Sequence, residues 1–327
     1  MFDEVADIRR SGQNPLTAFI FEQYPTELGY AYLNILLSYI TANRYIFIFI
    51  VTLIIYVLYY VNIRRYSEDY KVALLLFFGL LFFFTFTYLR QMIGVGIAGL
   101  SYKFIYERKL WKFVIVVLIA ASFHNSALIL LPVYFIPIKK YISFFKKAAA
   151  CPILCLLVGV SGVSSSLFEA YSSTSGLEER TTQYIEDTSG FRVAYLLEAV
   201  FFLWLILGNY GSIGKDKQQI ALLNVALTFC ATLLLFIRSE NGGRLGWFFI
   251  MALVATLTTI FSQSYKNILN RTLVFFVVFF LYIRIVFIWG IRISPYKTFF
   301  TNGVRTGDII YEKYEYDPNY ALDKFYR

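Results

Sequence analysis

Arginines and a single histidine are the side chains in this chain best suited to chemistry. Arg90-Gln91 stands between two apolar runs. Arg238-Ser239-Glu240-Asn241-Gly242-Gly243-Arg244 sets two arginines and a carboxylate around a Gly-Gly turn between two more. Arg192 opens a further apolar run, Arg284 lies inside the last one, and Arg180 falls in a polar connection. A guanidinium is planar, permanently charged and able to grip phosphate through two parallel hydrogen bonds. Glycine permits positive φ and a close backbone approach to a ligand. His124, the only histidine, sits in the apolar stretch Ser122-Phe123-His124-Asn125-Ser126. Ionisable groups at membrane depth are costly and mark function, and an imidazole titrates where proton transfer near neutrality needs it. These residues point to a site for a phosphate or pyrophosphate. His124 and Glu240 are its candidate acid–base groups. Arg90, Gln91, Ser126, Arg192, Arg238, Arg244 and Arg284 are its candidate binding groups.

Plainer readings stand beside these. Arg90 could snorkel to lipid headgroups, Glu240 could close an internal salt bridge with a flanking arginine, and Glu198 could pair with Arg284 inside the membrane. A lone histidine is more often a satisfied core group than a catalyst. One histidine without a cysteine partner or carboxylate cluster argues against a zinc site, and the expectation is an activity that needs no metal or other cofactor. The sequence has no phosphate-binding glycine loop before a basic residue, no dinucleotide fingerprint and no serine-nucleophile elbow.

The elements that position these residues are membrane helices. The chain has 327 residues, of which 58% are hydrophobic and 20% aromatic, against about 45–50% apolar in soluble domains. Apolar runs long enough to cross a bilayer recur, at 45–61, 72–89, 90–106, 148–164, 191–208, 219–237, 245–262 and 272–290. The fold class is therefore an all-α polytopic integral membrane protein with about eight spans. The net charge of +9 is spread over short loops, which excludes a nucleic-acid-binding patch and suits an anionic inner leaflet. Three cysteines give no disulfide framework. Cys151 and Cys155, four apart, share a helix face as packing residues.

Lysines fix the topology. From 62 to 290 they fall only in the connections 62–71, 103–112, 139–147, 209–218 and 263–271, which the positive-inside rule places in the cytoplasm. The opposite side then carries arginine alone: Arg90, Arg180, Arg192, Arg238 and Arg244. The run 113–138 is flanked by lysines at both ends, so a single crossing would export Lys139, Lys140, Lys146 and Lys147. A re-entrant or short helical hairpin keeps them inside. Each arm has about 12 residues, or about 18 Å, which puts His124 at the tip. Non-helical backbone at that depth needs protein or water beside it. Gly94, Gly96 and Gly99 after Arg90 would let a neighbouring helix approach closely. Residues 1–290 form one transmembrane domain with an outer loop at 165–190, and 291–327 is an aromatic outer tail. That tail could cover the site mouth or serve as an interfacial aromatic belt. Parity puts 1–44 outside as well, with 28–40 as an interfacial segment, and raises the expectation of a further helix upstream.

The run Tyr88-Leu89-Arg90-Gln91, the basic stretch from Tyr102 to Lys112, and Ala121-Ser122-Phe123-His124-Asn125-Ser126-Ala127-Leu128 together resemble the EpsG family of Wzy-type bacterial exopolysaccharide and capsule polymerases. Members typically show an Arg-Gln pair opening a helix, a short basic loop, then Phe-His-x-Ser-Ala. Glu27-Leu28-Gly29-Tyr30 resembles the family's acidic-Pro-Gly-Tyr region, with Leu28 in place of the proline. Gly243-Arg244-Leu245-Gly246-Trp247-Phe248-Phe249 and Pro295-Tyr296 are also similar. The resemblance implies a GT-C-like polymerase of the bacterial inner membrane. Its substrate would be an undecaprenyl-diphosphate-linked oligosaccharide, and its partners a chain-length regulator and a flippase. Competing readings are a membrane O-acyltransferase that decorates the same polysaccharide and a transporter of lipid-linked sugars. A transporter would show internal repeats with broken helices in matching positions, which the sequence lacks.

Overall fold

The computed structural model describes residues 1–138, 144–162, 190–214, 216–239, 242–263 and 268–293. Most of the expected outer loop, with Arg180, the tail beyond 293, and Glu240 lie outside the described residues. Among the described residues the structure is helical without strands.

Three short helices, α1 (Phe2–Arg10), α2 (Phe19–Gln23) and α3 (Leu28–Ser38), precede the long α4 (Arg44–Tyr66). They are fastened to its start: Phe2 stacks on Phe47 with ring centroids 4.1 Å apart, and Asp3 lies 3.4 Å from Arg44. Eleven helical residues rise only about 16 Å, so α3 is too short to cross, as its interfacial reading requires.

The remaining helices are α5 (Tyr70–Leu80), α6 (Leu89–Tyr106), α7 (Leu110–Phe123), α8 (Phe144–Ser161), α9 (Val193–Gly208), α10 (Lys217–Leu235), α11 (Gly242–Gln263) and α12 (Ile268–Ile293). Asx side chains start three of the helices at the lysine end or its opposite. Asn43 caps α4, Asp69 caps α5 and Asp216 caps α10, each accepting from backbone amides of the first turn. Among the described residues, four helices are long and apolar enough to cross a membrane: α4, α10, α11 and α12. The others are shorter or less apolar.

One expected span is not a single helix. The run 72–89 is broken at Leu81, where α5 gives way to a 3-10 turn at Phe82–Phe86. Thr85 donates to the carbonyl of Phe82 at 2.6 Å and shares a hydrogen bond with the Tyr56 hydroxyl at 3.2 Å. The bond from Thr85 to Phe82 is local and offers the backbone an alternative to the helix ladder, and hydropathy cannot register it. Cys151 is likewise exposed rather than packed.

The hairpin is present. α7 ascends to His124, and a 3-10 arm, Asn125–Phe135, returns. Their ends meet because Arg108, at φ 55°, donates to the carbonyls of Tyr134 and, at 2.9 Å, Ile136. A 3-10 run of this length is unusual. Pro132 inside it withholds one amide donor.

Small residues set the packing, as the glycine spacing in α6 anticipates. A Cβ at Gly96 would fall 2.8 Å from Leu58 of α4, and one at Gly99 2.8 Å from Asn62. Asn62 donates to the Gly96 carbonyl at 2.8 Å, and Tyr66 to that of Gly99 at 3.0 Å. The Tyr102 hydroxyl ties α6 to the Phe248 carbonyl of α11. In apolar surroundings these buried bonds lock α4, α6 and α11 to one another.

Candidate functional site

Four chain segments meet at the arginine end of the bundle: residues 24–30, the start of α6, the hairpin tip and the start of α11. Arg90, in the first turn of α6, donates through Nη1 to Glu27 Oε2. Its guanidinium carbon lies 3.5 Å from the Tyr24 ring centroid and 5.9 Å from that of Tyr30. One face of the guanidinium is thus stacked and one edge is paired. Glu27 is buried, just before α3. Its Oε1 accepts from the Asn125 amide at 3.2 Å and lies 3.9 Å from His124 Nδ1.

Gln91 is also buried and engages Arg244 in both directions. The Arg244 Nε donates to Gln91 Oε1 at 3.0 Å, and Gln91 Nε2 donates to the Arg244 carbonyl at 2.8 Å. The Arg244 guanidinium lies 4.7 Å from the centroid of Tyr88, which itself packs against Trp247 at 5.2 Å. Each arginine therefore has its own tyrosine face and its own polar partner, an arrangement that fixes a fork before any ligand arrives.

His124 ends α7 and starts the 3-10 arm. Its Nδ1 accepts from the Ser126 amide at 3.4 Å, which makes Nε2 the protonated nitrogen of a neutral ring. The guanidiniums of Arg244 and Arg90 are both within electrostatic reach of the imidazole. Two glycines admit the tip. A Cβ at Gly94 would fall 3.2 Å from the Ala120 carbonyl and 3.4 Å from His124 Cβ. One at Gly29 would fall 2.3 Å from the Ser122 hydroxyl oxygen.

The structure brings Arg90, Gln91, His124, Ser126 and Arg244 together. Arg192 and Arg238 form an adjoining group: the Arg192 amide donates to the Ile237 carbonyl at 3.0 Å, beside an exposed Arg238. The expected Gly-Gly turn is instead the first turn of α11, and there a Cβ at Gly243 would fall 3.0 Å from the Tyr195 hydroxyl of α9. The glycines there make room for Tyr195 in the first place. Arg284 is exposed on α12, within electrostatic reach of Glu198 on α9. The sequence reading missed Glu27, Tyr24 and Tyr88 as site residues. The usable signals were a carboxylate just ahead of a short apolar helix and tyrosines two residues before Arg90 and three before Glu27.

Two guanidiniums, one paired with a carboxylate and one held by an amide, both within electrostatic reach of His124, suit an anionic ligand on a multi-pass helical membrane protein. The comparisons agree with that class. The EpsG family profile matches residues 11–298, and the chain belongs to this family. Membership carries the coarse class of an exopolysaccharide-related, polymerase-type membrane protein. No curated protein and no solved structure matches the chain.

Proposed function

We propose that this protein is a polysaccharide polymerase at the outer face of the bacterial cytoplasmic membrane, with about eight crossings and 113–138 re-entrant. Residues 1–290 form the membrane domain of a GT-C-like architecture, and 291–327 is its aromatic outer tail. The enzyme transfers a growing glycan from undecaprenyl diphosphate to the non-reducing end of a lipid-linked repeat unit. The acceptor hydroxyl oxygen bonds to the anomeric carbon of the donor. The anomeric C–O bond to diphosphate breaks, its electron pair leaves with undecaprenyl diphosphate, and the hydroxyl proton passes to a base.

Arg90, Arg192, Arg238 and Arg244 hold the diphosphate, and His124 or Glu240 takes the proton. Charge that develops on the leaving diphosphate is where fixed donors contribute most. The observation that carries this reading is the convergence of Arg90 and Arg244, each stacked and each held by a side-chain partner, beside His124.

Purified protein in nanodiscs, supplied with a lipid-linked repeat unit, should form a glycan ladder and release undecaprenyl diphosphate. His124→Ala and Arg244→Ala should not. Full-length polymer from both variants would remove the site. Translocation without polymer, or acetyl transfer alone, would replace the class with one of its competitors.

A further inference from the structure

Glu27 touches both halves of the site. One carboxylate oxygen is paired with Arg90. The other accepts from the Asn125 amide at the hairpin tip and lies 3.9 Å from His124 Nδ1. A purely structural ion pair has no reason to sit against the only histidine. Burial of the carboxylate also raises the cost of any arrangement that leaves it without a cation or donor.

The tautomer gives this placement a consequence. With Nδ1 accepting from the Ser126 amide, the ring proton is on Nε2, and a ring in that state donates through Nε2 instead of taking a proton there. His124 becomes a base at Nε2 only when its proton sits on Nδ1 facing an acceptor. Among the described residues, Glu27 Oε1 is the carboxylate oxygen in position. It needs an approach of about 1 Å to reach ordinary hydrogen-bond length.

We propose that Glu27 exchanges partners during the reaction and so makes His124 a base only when the diphosphate is bound. This inference rests on the polymerase reading above. A diphosphate that takes up the Arg90 donors competes with Glu27 for the same guanidinium. The displaced carboxylate then turns to Nδ1. The neutral ring's proton moves from Nε2 to Nδ1 by ordinary tautomer exchange, with no change in atoms or charge. Nε2 accepts the acceptor hydroxyl's proton as the new glycosidic bond forms, and Glu27 stabilises the imidazolium that results, as a carboxylate does behind a general-base histidine. Glu27 is thus a positioning residue acting through Arg90 and His124. The coupling protects the donor from attack by water when the site is only half assembled.

The partner exchange makes a split prediction. Glu27→Gln keeps the length of the side chain and an oxygen for the Asn125 amide, but removes the charge that competes for Arg90. In nanodiscs the full-length variant should bind undecaprenyl diphosphate as tightly as wild type or up to about tenfold more tightly, while polymer formation falls about 100-fold. Glu27→Asp, which keeps the charge, should retain about a tenth of wild-type turnover. Wild-type turnover in Glu27→Gln overturns the proposal. So does a joint loss of binding and turnover in both variants, which is the mark of a brace. Wild-type protein that binds undecaprenyl diphosphate yet forms no polymer sinks the polymerase reading alone, and the affinity comparison still decides whether Glu27 competes for Arg90.

Discussion

α11 and α12 follow one another in the chain. Both are long and strongly apolar, and each carries an arginine that the sequence singles out. Their surroundings differ completely. In the apolar stretch of α11, 94% of the residues are buried, whereas in that of α12 11% are. Phe276, Phe279, Phe280 and Phe287 of α12 are exposed, a surface that fits lipid. α11 is enclosed by α6, α10 and the hairpin, and its arginine is held on several sides. Hydropathy sees the two helices as alike; what separates them is which face of each meets protein. An arginine held by protein partners is set to recognise a ligand, and one on an open face is set to adapt to its surroundings.

The largest effect should come from breaking the enclosed side of this contrast. Arg244→Ala removes a guanidinium stacked on Tyr88 and anchored by Gln91. Loss of one fixed donor to a developing negative charge costs about 10²–10³-fold in turnover. Initial rates of polymer formation by the purified variant in nanodiscs measure it. A loss smaller than tenfold would mean that enclosure is a packing feature only.

Gln91→Leu asks whether the anchoring, apart from the charge, matters. The arginine stays, but Nε loses its acceptor and the α11 carbonyl loses its donor. Each loss at a buried position costs about 1–3 kcal/mol, and turnover should fall roughly 10- to 100-fold. Undiminished turnover would show that Arg244 holds its own position.

Gly94→Ala tests the hairpin tip by displacement. The new methyl would meet the Ala120 carbonyl at 3.2 Å and His124 Cβ at 3.4 Å. The tip would have to give by a few tenths of an ångström. A shift of that size at a reacting group should lower turnover about tenfold with the fold intact. If turnover is unchanged, the position of His124 relative to α6 is not critical.

The sequence disclosed the groups and hid their partners. The arginines were legible because the connections opposite the lysine-bearing ones carry arginine and no lysine, and His124 because it interrupts an apolar run. The hairpin followed from lysine placement at its two ends, and the close approach of α6 from its glycines. Glu27 was not legible as a site residue, because it meets Arg90 across 63 positions of sequence and Asn125 across 98. The Gln91–Arg244 pairing spans 153. No periodicity records such encounters. The break at Leu81 was hidden for the opposite reason. It is marked by a bond between Thr85 and Phe82, three residues apart, in a stretch whose apolar character is uniform.

The exposed side of the comparison makes the smallest prediction. Arg284 stands on a helix that is barely enclosed, and Glu198 is the carboxylate within its electrostatic reach. Interactions of an exposed charge are worth little, and a long arginine side chain can relocate its charge along an apolar surface. Arg284→Gln should therefore leave polymer formation within about threefold of wild type. Glu198→Gln should behave the same way, since it removes the same interaction from the other side. A drop of tenfold or more in Arg284→Gln, with Glu198→Gln unaffected, would show that Arg284 acts on the substrate and not on Glu198. It would bring α12 into the site, and the contrast between the two helices would then be one of packing alone.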